Sequence, residues 1–226
     1  MKILASHCGG RKSGLSIIED GKISKILVTE NETTGFCRYK DRYWVNSGDH
    51  ILEVDANLNI LRGIVREQTQ FHGRINHDIA VCEDKLYIAN TLDNNISVYK
   101  INPNEQSIYH EGAVFPFKHK DMKPDATHVN AIAVKSNLVY AMGWGFFLDR
   151  QQWKNAKNEG FWGVFAGDDF CVLENGLCYP HTLQKYVDGF AYIETQSKKL
   201  VFVGLDIKRK QVIDLDMPWP RGLVRH

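Results

Sequence analysis

The chain has 226 residues, of which 43% are hydrophobic and 24% charged, and its formal net charge is +1. These values are typical of a globular protein with its own core, and the near-neutral charge disfavours binding to nucleic acid or to an anionic membrane surface. No stretch approaches the roughly 20 apolar residues of a membrane-spanning helix. Residues 1–10 lack the apolar run of a signal peptide, so we expect a cytoplasmic protein.

Short runs rich in β-branched and aromatic residues follow one another along the chain, separated by Gly, Asn and Asp. In chain order they include KILASH, GLSIIED, KISKILV, KLYIAN, NISVYKI, NLVYAM, GFAYIET and KLVFVGLD. Only the stretch LDRQQWKNAKN tolerates a helix well. Many short strands bounded by turn residues predict an all-β fold.

One unit of this pattern repeats. Residues 77–88, HDIAVCEDKLYI, align without gaps with residues 130–141, NAIAVKSNLVYA. TGFCRYKDRYWV from Thr34 aligns equally well, HTLQKYVDGFAYI from His181 needs one extra residue, and RGLVRH from Arg221 matches the first half. Successive starts are separated by 43, 53, 51 and 40 residues, close to the roughly 40–50 residues of one β-propeller blade.

We therefore predict a single domain over residues 1–226, a five-bladed β-propeller of four-stranded blades. In this arrangement the N-terminal residues supply three strands of one blade, and the C-terminal RGLVRH supplies its inner strand. Pairing the two termini closes the ring and leaves no open sheet edge. The alternative is that the chain is a fragment of a longer propeller.

One blade carries an aromatic-rich insertion at about residues 143–169, GWGFFLDRQQWKNAKNEGFWGVFAGDD. Insertions in repeat folds lie in loops on one face, which is often the binding face. Most of these aromatic side chains are expected to pack the insertion onto the blade. Trp153, with Lys157 nearby, is the better candidate for contact with a ligand.

Four short motifs occur in a fixed order: HVNAIAV (128–134), WKNAKNEG (153–160), GLCYPHT (176–182) and PRGLV (220–224). With this set the chain resembles an uncharacterised bacterial β-propeller family, a domain of unknown function within the YVTN-like propeller superfamily. The resemblance covers roughly residues 120–226 well and the first half loosely. It departs from the family pattern at Thr182, where the family has Ser, and in its longer insertion. It implies the fold and no reaction.

The repeat also places polar residues at equivalent positions. Inner strands line the channel of a propeller, so the strand starts should ring one mouth. The residues predicted on or beside this ring are Thr34, His77, Asp78, His128, Asn130, His181 and Arg221.

Three interpretations remain open. His77, His128 and His181 bind a divalent metal ion with Asp78 as ligand or orienting group, since neutral imidazoles suit transition metals. Alternatively the ring binds a polar ligand without a metal, with Asn130 and Arg221 as donors and Trp153 as a wall. In the third interpretation these residues bond only strand ends and channel water.

The leading functional hypothesis is a binding or scaffold module that recognises a small polar or anionic ligand, or a protein partner, at the channel mouth. The alternative is a metal-dependent lyase or hydrolase that uses the histidines of the same mouth. Whether the protein is an enzyme stays open at this point, as does the identity of any metal cofactor.

Overall fold

The computed structural model describes residues 2–7, 13–20, 22–29, 33–48, 50–65, 76–102, 107–186 and 188–216. Within them the chain forms nineteen β-strands and one short 3₁₀-helix, Gln152–Asn155. No helix in these ranges is long and apolar enough to cross a membrane.

The strands form five antiparallel sheets, each from consecutive chain segments. The N-terminal sheet contains β1 (Lys2–His7), β2 (Ser13–Glu19) and β3 (Lys22–Thr29). Blade I contains β4 (Thr33–Tyr39), β5 (Arg42–Ser47), β6 (His50–Val54) and β7 (Ile60–Val65). Blade II contains β8 (Asn76–Cys82), β9 (Lys85–Asn90), β10 (Asn95–Asn102) and β11 (Ser107–Val114). Blade III contains β12 (Ala131–Lys135), β13 (Leu138–Gly143), β14 (Gly160–Ala166) and β15 (Asp169–Leu177). Blade IV contains β16 (Pro180–Tyr186), β17 (Gly189–Glu194), β18 (Lys199–Gly204) and β19 (Arg209–Asp214).

The blades are arranged as in a propeller, with the first strand of each blade innermost. Strand β4 packs beside β8, β8 beside β12 and β12 beside β16, while β1 packs beside β4. The described residues thus form four four-stranded blades, not the five that we predicted, because the N-terminal sheet has only three strands. The segment expected to complete it, which begins at Arg221, lies outside the described residues.

Each pair of successive sheets buries its own apolar cluster, because alternate residues of a strand point to opposite faces. Trp162 and Tyr192 lie in the cluster between blades III and IV, and Trp44 and Leu86 in that between blades I and II. Further clusters separate the N-terminal sheet from blade I and blade II from blade III. Blades I, II and III are therefore buried on both faces, which explains why their inner strands are apolar over most of their length.

The predicted insertion at 143–169 divides into two parts. Residues 144–159 form a loop that contains the 3₁₀-helix, whereas Gly160–Ala166 are β14, the regular third strand of blade III. A second long connection, residues 115–130, joins blades II and III. Both loops lie at the end of the propeller where the inner strands begin, since antiparallel strands return the chain there after the second and fourth strands. We call this end the mouth face and the other end the opposite face.

Candidate site at the channel mouth

The predicted strand-start residues that the structure describes lie at the mouth face, and most bond neighbouring strand ends. The hydroxyl of Thr34 accepts a hydrogen bond from Asn46 Nδ2 at 3.1 Å. Asn130 Nδ2 donates to the carbonyl oxygen of Pro180 at 2.9 Å, which links blade III to blade IV. His181 is buried, and its Nδ1 lies 2.7 Å from the Thr195 hydroxyl. Arg221 lies outside the described residues.

Asp78 lies at the junction of three inner strands rather than on an open surface. Its Oδ1 accepts from the N–H of Ile79 and its Oδ2 from the N–H of Ile132 in blade III, both at 2.9 Å. Gly35 of blade I packs against the backbone of Asp78 from the other side. Burial raises the pKa of the Asp78 carboxyl to about 7, although its two backbone donors act in the opposite direction. In the structure this carboxylate connects blades.

Beside Asp78 the mouth face carries a set of ring side chains that contact one another. We call this set the mouth cluster: His77, His128, Trp144, Trp153, Tyr179 and His181. The His128 ring is stacked on Trp144, with centroids 3.9 Å apart, and lies 4.3 Å from Trp153 and 4.9 Å from His77. The Trp144 ring also contacts Tyr179 at 4.9 Å and His181 edge-on at 5.0 Å. The cluster thus joins three of the predicted histidines through a tryptophan that the sequence analysis did not select.

Asp125 holds this cluster in place. It is 1% exposed, and its Oδ1 lies 2.7 Å from His128 Nδ1 and 3.3 Å from Trp153 Nε1. Its Oδ2 accepts from Gln151 Nε2 at 3.0 Å. Asp125 and Gln151 both have positive φ angles, 55° each, so the two loops meet through left-handed residues. One buried carboxylate therefore fixes the loop 144–159 against the loop 115–130 and orients His128.

Three asparagine side chains at this end each have one hydrogen-bonding atom left over. Asn46, Asn90 and Asn130 are buried, and each uses Nδ2 to donate to Thr34, Asp93 and Pro180 respectively. In the described structure the Oδ1 atom of each is buried without a hydrogen-bond donor. Asn46 and Asn90 lie at the mouth ends of β5 and β9, and Asn130 directly precedes β12. Blades I, II and III therefore each present one open acceptor at the same end.

The predicted ligand-contact residues of the insertion differ in their surroundings. Trp153 is 9% exposed and packs within the mouth cluster, with its Nε1 donating to the Asp125 carbonyl oxygen at 3.1 Å. Lys157 is exposed on the loop. In the structure Trp153 thus contributes to packing, and Lys157 contributes positive charge to the mouth face.

The three-histidine metal hypothesis stays a prediction. Over the ranges that the structure describes, no group of three or more His, Cys, Asp or Glu side chains is placed to hold a metal ion. His77 and His128 are neighbours, whereas His181 meets them through Trp144. Imidazole nitrogens remain the best metal donors at this mouth.

Sequence reasoning missed Asp125, Trp144, Asn46 and Asn90. The two asparagines could have been predicted as equivalent positions, because both lie within one residue of the end of the second strand in aligned units. Asp125 and Trp144 carried none, because they come from irregular loops whose meeting depends on the packing of blades II, III and IV.

Sheets of four antiparallel strands, arranged around an axis with their first strands innermost, define a β-propeller. Comparison with solved structures agrees with this class. A protein of unknown function from Bacteroides caccae has a TM-score of 0.60 at 11% identity, over 94% of this chain and 73% of that one. Virginiamycin B lyase from Staphylococcus aureus has a TM-score of 0.58 at 13% identity, over 91% and 64% of the two chains. A chain of the nidogen/laminin complex has a TM-score of 0.54 at 10% identity, over 94% and 93%.

These likenesses show the fold, because identities of this size do not carry function. The chain spans less than two thirds of the virginiamycin B lyase that it matches. No protein-family model matches the sequence, and no curated protein does. The protein is thus an all-β propeller whose similar structures include both a lyase and a component of a binding complex.

Proposed function

We propose that this propeller is a binding module that takes a small polar ligand at its channel mouth. The observation that supports the proposal is the set of open amide oxygens of Asn46, Asn90 and Asn130. A buried acceptor without a donor destabilises a protein by about 1–3 kcal/mol. Three such atoms lie at one end of three consecutive blades. A bound ligand would supply their missing donors, and in its absence ordered water would do so.

The position of these atoms favours a small ligand over a protein partner. They are buried at strand ends, so a flat protein surface does not contact them, and a ligand hydroxyl has to enter between the strand ends to do so. The mouth cluster forms a wall beside Asn130, because Trp144 Nε1 and Asn130 Nδ2 both donate to the carbonyl oxygen of Pro180, at 3.0 and 2.9 Å. A preformed polar site beside aromatic rings is typical of small-molecule binding.

Binding of D-glucose and D-glucuronate, measured by saturation-transfer NMR, tests the proposal. Asn130→Ala removes one acceptor, and Asn137→Ala, in an exposed turn of the opposite face, is the matched control. We expect transfer to at least one sugar in the wild type and the control, and weaker transfer in Asn130→Ala. Absence of transfer in the wild type, or equal transfer in a folded Asn130→Ala variant, would contradict the proposal.

A metal-dependent lyase or hydrolase at the same mouth is the second candidate. It is favoured by the pairing of His128 Nδ1 with Asp125 at 2.7 Å, since a carboxylate orients a metal-ligating imidazole in this way. Elemental analysis of untagged protein purified without chelator, beside a His181→Ala control, decides between the two. About one equivalent of a transition metal, lost in the control, supports the enzyme; its absence from the wild type supports metal-free binding.

A further inference from the structure

The two ends of the propeller carry opposite charge. In the described connections of the mouth face, including residues 215–216 after β19, the exposed charged residues are seven bases and four acids: Lys118, Lys120, Lys123, Arg150, Lys154, Lys157 and Lys198, against Asp121, Asp149, Glu159 and Asp216. We call the seven bases the rim. In the described loops of the opposite face the balance is reversed, with two exposed bases and six exposed acids: Lys40 and Lys208, against Asp20, Asp41, Glu83, Asp168, Asp188 and Asp206. A net charge of +1 for the whole chain conceals this separation.

The basic loops are packed directly onto the strand ends that carry the open acceptors. Asn94, which follows β9, donates from Nδ2 to the carbonyl oxygen of Lys123 at 2.8 Å. The N–H of Lys123 donates in turn to the carbonyl oxygen of Leu148 in the loop 144–159, at 2.7 Å. The Oδ1 of Asn94 accepts from the N–H groups of Ala126 and Thr127 at 2.7 and 2.8 Å. The lysine-bearing backbone is therefore fixed beside the mouth.

Two further acids, Asp125 and Asp93, lie near the mouth, and both carry hydrogen bonds to neighbouring side chains. Asp125 is buried and bonded to His128 Nδ1, Trp153 and Gln151. Asp93 is bonded to Asn90 Nδ2 at 2.5 Å, and burial raises the pKa of its carboxyl. The exposed bases of the mouth outnumber its exposed acids by three, and their charges act on an approaching ligand over about 8–10 Å at physiological salt.

The two features together restrict the chemistry of the ligand. Open amide oxygens require hydroxyl or N–H donors, whereas a basic rim attracts an anion. We infer that the ligand of the mouth is a hydroxyl-rich anion, namely a sugar acid or a sugar phosphate, whose hydroxyls meet the asparagine oxygens and whose acidic group lies among the rim lysines. This inference rests on the proposed binding function and names its ligand class.

Dissociation constants for D-glucuronate, D-glucose 6-phosphate and D-glucose, measured at low and at physiological salt, test the inference. The mouth variant Lys120→Glu/Lys123→Glu/Lys157→Glu reverses three rim charges. The control variant Lys40→Glu/Lys208→Glu changes exposed lysines of the opposite face. All five positions are exposed, so both variants are expected to fold.

We expect at least one anion to bind on the order of tenfold more tightly than glucose at low salt, with the advantage reduced by added salt. The mouth variant should abolish this advantage without changing glucose binding, and the control variant should keep it. Preference for glucuronate identifies a carboxylate ligand, and preference for glucose 6-phosphate identifies a phosphate; either supports the inference.

Two outcomes overturn it, and they differ in what they say of the proposed function. If glucose and the anions bind equally and the mouth variant changes nothing, the site is a neutral polyol site and the binding function stands. If no probe binds the wild type, both the ligand class and the proposed binding function are overturned.

Discussion

The carboxylate of Asp78 accepts a hydrogen bond from the backbone N–H of Ile132 at 2.9 Å, across the boundary between blades II and III. It also caps the N–H of Ile79 in its own strand. Successive blades are otherwise joined mainly by apolar packing, which is non-directional. This polar contact therefore fixes the relative register of two inner strands at the point where the candidate site is built.

Replacing Asp78 by Ala should destabilise the protein strongly. The substitution leaves the N–H groups of Ile79 and Ile132 without their acceptor, at about 1–3 kcal/mol for each buried donor. Asp78→Asn keeps one amide oxygen and should lose less. The free energy of unfolding in urea measures both. Equal stability of Asp78→Ala and the wild type would show that water satisfies these donors.

The same carboxyl predicts a pH dependence of stability. Its pKa is raised from an ordinary value of 3.8 to about 7 in the folded chain. The folded state therefore holds this proton more tightly than the unfolded state, so its stabilising contribution is complete below about pH 4 and is lost as the pH rises to about 7. Urea unfolding of the wild type and Asp78→Asn at pH 5 and pH 8 should show a smaller loss of stability in the variant. An identical loss in both would assign the dependence to other groups.

The close approach of blades I and II depends on Gly35. A Cβ added there would lie 2.6 Å from the Cα of Asp78 and 2.8 Å from the carbonyl oxygen of His77, both backbone atoms. We expect Gly35→Ala to destabilise the protein by about 1–3 kcal/mol through overpacking. Gly63→Ala is the matched control, because its Cβ would meet only Leu52 Cδ2, at 3.4 Å. Thermal unfolding should separate the two variants, and equal melting temperatures would contradict the close packing.

At the edge of the core between blades III and IV, the half-buried carboxylate of Glu174 serves three donors. Glu174 accepts from Trp162 Nε1 at 2.9 Å, from the Tyr192 hydroxyl at 2.8 Å and from Arg209 Nε at 2.9 Å. Since Trp162 and Tyr192 are fully buried, Glu174→Ala should reduce the free energy of unfolding by about 2–5 kcal/mol. The exposed Glu159→Ala should change it by less than about 0.5 kcal/mol. Chemical unfolding followed by tryptophan fluorescence measures both, and a loss equal to that of the control would argue against the network.

Replacing Asp125 should reduce stability and disturb the mouth cluster more than replacing an exposed acid of the same loop. Asp125→Asn removes the charge and one acceptor from a group that His128, Trp153 and Gln151 all contact. We expect a loss of about 1–3 kcal/mol in stability, together with altered tryptophan fluorescence, because Trp153 loses part of its support. Asp121→Asn, an exposed change in the same loop, is the control. A fluorescence spectrum identical to that of the control would show that Asp125 does not position the cluster.

Much of the fold could be predicted from the sequence. Alternating apolar residues indicate strands, and turn residues at regular spacing indicate hairpins, because both depend on interactions between residues close in the chain. The aligned units from Thr34, His77, Asn130 and His181 correspond to β4–β5, β8–β9, β12–β13 and β16–β17. From the sequence we predicted one insertion over residues 143–169. Strand β14 is rich in aromatic residues and glycine, so its pattern does not differ from that of the loop before it. The structure assigns only residues 144–159 to that loop.

The candidate site was accessible only in part. The repeat placed Asp78 beside the ring of strand starts, but its bond to Ile132 depends on how blade II meets blade III. Trp153 was expected to face a ligand, and its burial follows from the meeting of two loops at Asp125, which no periodic pattern encodes.

The sequence by itself determined the all-β class, the repeating unit and the polar character of the inner-strand starts, because these depend on residues close together in the chain. Tertiary structure decided which polar atoms are bonded and which stay open, since Asn46, Asn90 and Asn130 come from three different blades. It also decided that the charges separate between the two ends, because alternate turns of antiparallel strands lie on opposite faces of the propeller.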